Sequence, residues 1–202
     1  MSVTRPTRQV FSQRQDEVRG AAAEATMRLA ELGPFKEISV EAIAREAGIN
    51  RSAFYAHFRG KNDALMAAAE SVMDELYLEA DRWWHGEGQP EAIVREALDG
   101  VATAYAGHSG LLRVVTEVSG YDEEFAAFWR ALIGRFIEAS ADYFRREQAT
   151  GAIRPFDADQ MATALVWMVE RCCYMQLARG DMKPEAVIDS LMPTWMGAIY
   201  LR

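Results

Sequence analysis

The sequence predicts an all-α protein of about nine helices, with short helices at the N-terminal end and longer ones after them. Two observations carry this. Apolar residues recur three or four positions apart along nearly the whole chain, and the intervals between periodic segments hold the Gly and Pro residues that stop helices. No strand-like alternation bounded by hairpin turns competes with that pattern. At 202 residues, half of them hydrophobic, the chain can bury a real core.

The elements follow in order. Val18, Ala22, Ala25, Leu29 and Leu32 share one face of a first helix from about Asp16 to Leu32, which Gly33-Pro34 ends. Ser39 is placed to cap the short helix VEAIAREA, and Gly48 supplies a left-handed turn. Asn50 is placed to cap RSAFYAH. Gly60 and Pro90 bracket a long helix, KNDALMAAAESVMDELYLEADRWW. Beyond it come IVREALDGVATAYAG, LLRVVTEVS, EEFAAFWRALIGRFIEASADYFRREQ, DADQMATALVWMVERCCYMQLA and PEAVIDSLMPTWMGAIYL, separated by GHSG, SGYD, TGAIRPFD and RGDMK. We expect a head over residues 1–60, with a flexible basic arm at 1–14, and a helical body over 61–202.

Charge divides the chain at the same place. Through Lys61 there are ten Lys/Arg against seven Asp/Glu; the remainder holds 12 against 23, giving the net −8 of the whole. A net acidic protein repels polyanions, so any nucleic-acid contact must concentrate on the basic N-terminal part, where Arg5, Arg8, Arg14 and Arg19 extend the positive character. No run approaches the roughly 18 apolar residues of a spanning helix. The opening MSVTRPTRQVFSQRQDE lacks an apolar signal core. The expectation is a soluble cytoplasmic protein with no membrane partner. Cys172 and Cys173 are adjacent in a helical stretch where a mutual disulfide would be strained, so reduced thiols are favoured over a redox switch.

The two short helices joined at AGIN form a helix-turn-helix, in which the first braces the second and the second enters a major groove. Ile43, Ala47, Ile49, Phe54 and Phe58 have the spacing to fix the unit onto the first helix. Asn50, Arg51, Ser52, Tyr55 and His57 then face outward, with Lys61 where the next helix begins. Tyr55 and His57 also read as ordinary surface residues, and Lys61 as a solvated helix start.

The segment ISVEAIAREAGINRSAFYAHFRGKNDAL resembles the DNA-binding head of TetR-family transcriptional repressors, with their capped helix, A-G-hydrophobic turn, aromatic pair and H-F-x-x-K. FWRALIGRFIEAS, ATALVWMVER and PTWMGAIY resemble the C-terminal half of EthR-like members more weakly. The resemblance implies a phosphate contact for Ser39 and a base-reading role for Asn50, Arg51 and Ser52, with Arg51 bidentate to guanine. It implies phosphate contacts for Tyr55, His57 and Lys61. Ala56 departs from the family, many members of which carry a second aromatic there.

For the body the resemblance implies a cavity lined by Trp129, Ile133, Phe136, Val166, Val169, Cys173 and Trp195. Val166 and Val169 stand where some relatives present amides, which favours a lipophilic ligand. Glu170 and Arg171, neighbours on one helix, are not expected to pair with each other; each either pairs across helices or anchors a ligand. A homodimer is implied because two half-sites are needed for specific affinity. The last two helices are apolar on more than one face: Met161, Leu165, Met168 and Cys172 form one line, and Ala162, Val166, Val169 and Cys173 another. Leu191, Trp195, Met196 and Ile199 would join them across a partner, with the sides unassigned.

An enzyme is not indicated. His57, His85 and His108 are scattered without a zinc-binding spacing, and there is no Walker loop, dinucleotide fingerprint or nucleophile elbow. No metal or cofactor is expected. The expectation is a repressor that holds a palindromic operator as a homodimer and is released by a small lipophilic effector. The alternative is a helical ligand-binding or scaffold protein without sequence-specific DNA binding.

Overall fold

The computed structural model of the chain describes residues 8–200, with side chains from Asp16 onward. Of the expected basic arm, residues 1–7 and the side chains of Arg8 and Arg14 lie outside the described residues. Among the described residues there are nine α-helices and no strand: α1 (Arg8–Leu32), α2 (Val40–Glu46), α3 (Arg51–Tyr55), α4 (Lys61–His85), α5 (Pro90–Gly107), α6 (Ser109–Ser119), α7 (Glu123–Thr150), α8 (Ala158–Cys173) and α9 (Pro184–Ile199). A 3₁₀ turn, Phe35–Glu37, precedes α2, and a π-helical turn, Tyr174–Ala178, continues α8. Two compact units divide the chain between Ser71 and Val72, inside α4.

The first unit is small and held by local chemistry. Ser39 Oγ accepts from the Ala42 N–H at 3.1 Å and Asn50 Oδ1 from the Ala53 N–H at 2.8 Å, so both expected N-caps form. Gly48 has φ 68°, and the bonds from Gly48 N to Arg45 O and from Ile49 N to Ala44 O close α2 in a Schellman turn. Nothing crowds a Cβ at that position, so the backbone conformation and not space demands glycine. Ala22, Ala25, Phe35, Ile43 and Phe54 are fully buried, and Phe58 packs on Phe54 at 5.1 Å between ring centroids. Ala47 and Ile49 are only partly covered, and Leu32, expected on the buried face of α1, is 82% exposed because the helix ends there. The first helix also starts at Arg8 and not near Asp16.

In the second unit α7 packs on α8 and α5 on α9. Val94, Leu111, Val115, Phe125, Phe144, Val187 and Ile188 form the dry centre. Asp122 caps α7 and Asp157 caps α8 through side-chain oxygens that accept from Phe125 N and Gln160 N. Arginines close helix ends from the other side: Arg146 donates to Trp84 O at 3.1 Å, Arg154 to Ala198 O at 2.7 Å and Arg113 to Ala178 O at 3.0 Å. Orphan carbonyls at C-termini are thereby satisfied. The expected GHSG separator is narrower than the sequence suggests, since α6 begins at Ser109 with Gly110 buried in its first turn.

Leu191, Trp195 and Ile199 are buried within the chain's own second unit, at 3%, 4% and 0% exposure. This corrects the expectation that they face a partner subunit. α9 turns them inward, leaving Met196 partly open. On α8, Ala162, Leu165 and Cys173 are buried, whereas Trp167, Met168 and Cys172 are partly open and Met175 of the π turn is 55% exposed.

A candidate DNA-reading surface and an apolar cavity

α3 is only five residues long and would not persist alone; its cap and the burial of Phe54 hold it in place. With Phe54 inward, Asn50, Arg51, Ser52 and Tyr55 are exposed, as is Ser39 at the start of α2, and His57 is partly so. The structure thus presents the expected side chains on the first unit, three of them already engaged within the protein. Arg51 is ion-paired with Glu41 of α2 and lies over the Tyr55 ring, 5.4 Å from its centroid. Asn50 commits one lone pair of its side-chain oxygen to the cap, leaving its amide hydrogens free to donate to a partner.

Lys61 is the third. Its ammonium donates to Phe35 O at 2.7 Å, Ile38 O at 3.0 Å and Lys36 O at 3.4 Å, and stands 4.5 Å from the Phe35 ring centroid. The side chain ties α4 to the 3₁₀ turn that leads into α2. Next to it, Asp63 accepts from the Arg59 backbone N–H and, bidentately, from its guanidinium, which holds the Asp63 carboxyl below its ordinary value.

The second unit holds a partly open cavity of about 80 Å³ between α4, α5, α7, α8 and α9. Trp129, Ile133, Phe136, Val166, Val169 and Trp195 of the set the resemblance implies line it, and so does Glu170. Cys173 does not. It is buried just beyond the wall, where desolvation pushes its thiol up to about 12. Sequence reasoning missed the contribution of α4 and α5: Met73, Leu76, Trp83, Trp84, Val94 and Tyr105 also line the space. The adjacent tryptophans at the end of α4 were the available signal. Tyr77 packs tilted on Trp84 at 4.9 Å between ring centroids and edge to face on Phe136 at 5.2 Å.

Glu170 is 6% exposed, and its Oε2 accepts no hydrogen bond. Contrary to expectation, Arg171 does reach its neighbour: Nη2 lies 3.5 Å from Glu170 Oε2, while the guanidinium sits over the Tyr174 ring and remains about half exposed. A long side chain with one face in water can curl back where a buried carboxylate has no closer cation. Desolvation outweighs this charge, and the Glu170 carboxyl is raised above its ordinary value.

Comparison with known proteins accords with this architecture. Residues 23–69 match the family described as bacterial regulatory proteins, tetR family, and residues 94–201 match the C-terminal domain of the transcriptional regulator EthR. The HTH-type transcriptional regulator EthR of Mycolicibacterium smegmatis is 31% identical over 92% of this chain and 87% of its own length. Among solved structures, a TetR-family transcriptional regulator from Syntrophomonas wolfei superposes with a TM-score of 0.73 at 13% identity, covering 93% of this chain and 96% of that one. A transcriptional regulator from Saccharomonospora viridis, solved in complex with choline, gives 0.71 at 19% identity, over 93% of this chain and all of the other.

An all-α fold with a capped helix-turn-helix in one unit and a partly open apolar cavity in the other is, with these relatives, that of a helix-turn-helix transcriptional regulator. The chain belongs to the TetR family and is EthR-like along its C-terminal half. It is a regulator and not an enzyme, and no helix among the described residues is long and apolar enough to cross a membrane.

Proposed function

We propose that the chain is a repressor that binds a palindromic operator as a homodimer and is released by a small lipophilic effector. The observation that carries the DNA half is the capped α3, which exposes Asn50, Arg51, Ser52 and Tyr55 while anchoring itself through Phe54. Arg51 reads guanine; Ser39, Tyr55 and His57 meet phosphates and set register. Lys61 supports them by fixing the 3₁₀ turn, and any phosphate contact it makes competes with its three carbonyls.

The dimer is supported by the open apolar strip of Trp167, Met168, Cys172 and Met175, with Met196 on α9. A second copy seated on that strip would build a four-helix interface. The effector reading is supported by the apolar wall of the cavity. At about 80 Å³ the space is smaller than the roughly 150 Å³ that admits benzene in an engineered apolar cavity, so a lipophile must widen it or extend through its open side. Met73, Leu76, Trp83 and Trp84 are on α4, the helix that begins at Lys61, so a ligand that moves α4 acts on the helix carrying the reading unit. Linkage then makes DNA weaken effector binding by the same factor as effector weakens DNA binding.

Selection of the purified protein against random duplex DNA at physiological salt tests this. Recovery of an inverted repeat is expected. No enrichment from folded protein would leave the helical ligand-binding scaffold as the reading.

A further inference from the structure

The polar side chains among the residues around the cavity fall into two groups. Trp84 Nε1 donates to Ser140 Oγ at 3.2 Å, and Trp83 Nε1 to Tyr200 Oη at 3.1 Å, so these are satisfied by the protein. Glu170 Oε2, Tyr105 Oη and Trp195 Nε1 are buried without a hydrogen-bond partner. All three residues line the same cavity. A native interior leaves few such groups, and each one costs free energy unless something fills it.

The set is selective. Two of the three orphans are oxygens, one of them an acid, and Trp83, Trp129, Phe136 and Trp195 line the space. An anionic ligand would face the Glu170 carboxyl, and the nearest cation, Arg171, is not part of the lining. A neutral alcohol could satisfy a hydrogen bond but would leave the acid with only the half-exposed Arg171 to offset its charge. A protonated amine does both: it donates to Glu170 and Tyr105 and brings positive charge among aromatic rings whose faces attract cations. The carboxyl is already stripped of water by the fold, so binding adds only the desolvation of the ammonium. The titratable groups coupled to Glu170 are Tyr105 on α5 and Arg171 and Cys173 on its own helix; of these only Arg171 is cationic.

Building on the effector reading above, we infer that the effector is a lipophilic amine whose protonated nitrogen docks on Glu170 within the aromatic cavity. Its apolar part occupies the wall formed by α4, α5 and α7, and an acceptor atom on it would take the free Trp195 N–H.

Titration of the full chain with octylammonium, 1-octanol and octanoate at neutral pH, followed by tryptophan fluorescence and calorimetry, tests the inference. Octylammonium is expected to bind roughly tenfold or more tightly than octanol, with octanoate weakest. In Glu170→Gln the preference for the amine disappears while octanol binding persists, which also shows the variant folded. Equal binding of amine and alcohol, stronger binding of octanoate, or an amine preference retained in Glu170→Gln overturns the inference and leaves a lipophilic effector intact. If none of the three binds the wild-type chain, the effector reading falls with it.

Discussion

Arg51, at the first position of α3, is ion-paired with Glu41 of α2, so the side chain assigned to read guanine is engaged by a carboxylate in the free protein. Both partners are more than half exposed, and such pairs contribute about 0–1 kcal/mol. Glu41 therefore orients Arg51 without locking it. Removing the carboxylate releases the guanidinium and subtracts a negative charge near the phosphates. Glu41→Gln is expected to tighten DNA binding by roughly two- to fivefold at low salt, with the gain fading as salt rises. Fluorescence anisotropy at two ionic strengths measures it. Arg51→Ala, by contrast, loses about 1–3 kcal/mol of discrimination at one base pair.

Lys61 satisfies carbonyls of three residues in the segment leading into α2. Replacing it with Met keeps the stem and removes every donor. The expected cost is about 1–3 kcal/mol in urea denaturation of the first unit, together with weaker binding to all DNA sequences alike. Weakened DNA binding with unchanged stability would instead assign Lys61 to a phosphate alone.

The Glu170 carboxyl is raised by burial, so the folded state holds this proton more tightly than the unfolded chain. Its contribution to stability is fully present below the ordinary carboxylate value of about 4.3 and is lost as pH rises through the higher folded value. Glu170→Gln should melt at a higher temperature than wild type at neutral pH, and the difference should close on acidification. Melting curves across pH 4–8 check the sign. Asp63 acts oppositely: its lowered carboxyl stabilises above the ordinary Asp value, and this is lost only as pH falls through the lower folded one.

Cys173 is 1% exposed with its thiol pushed up to about 12, whereas Cys172 is partly open. Alkylation of the native protein should label Cys172 and spare Cys173 until the chain is unfolded, as mass spectrometry of peptides would show. Equal labelling of both would contradict the burial of α8's inner face.

The head was legible because its determinants are local. Ser39, Gly48 and Asn50 act within four residues of themselves, and cap, turn and cap can be read from a single short string. Glu41's grip on Arg51 was not, since it depends on how α2 and α3 cross. The cavity was half legible: α7 and α8 supplied Trp129, Phe136 and Val169 by resemblance, but a long apolar helix such as α4 does not announce which of its faces borders a void. Cys173 was misplaced for the same reason, one turn beyond the wall. Trp195 was assigned both to the cavity and to a partner face, and only the packing of α9 against α5 decides for the cavity. The π turn at Tyr174–Ala178 has no signature in composition or spacing.

The reading of one operator by two heads is tested most directly by binding to the selected duplex beside a version with one half-site scrambled. The intact inverted repeat is expected to bind with a Kd in the roughly 10⁻⁸–10⁻¹¹ M range at physiological salt, and the scrambled one to fall towards non-specific affinity. Equal affinity for the two duplexes would contradict a dimeric, sequence-specific regulator.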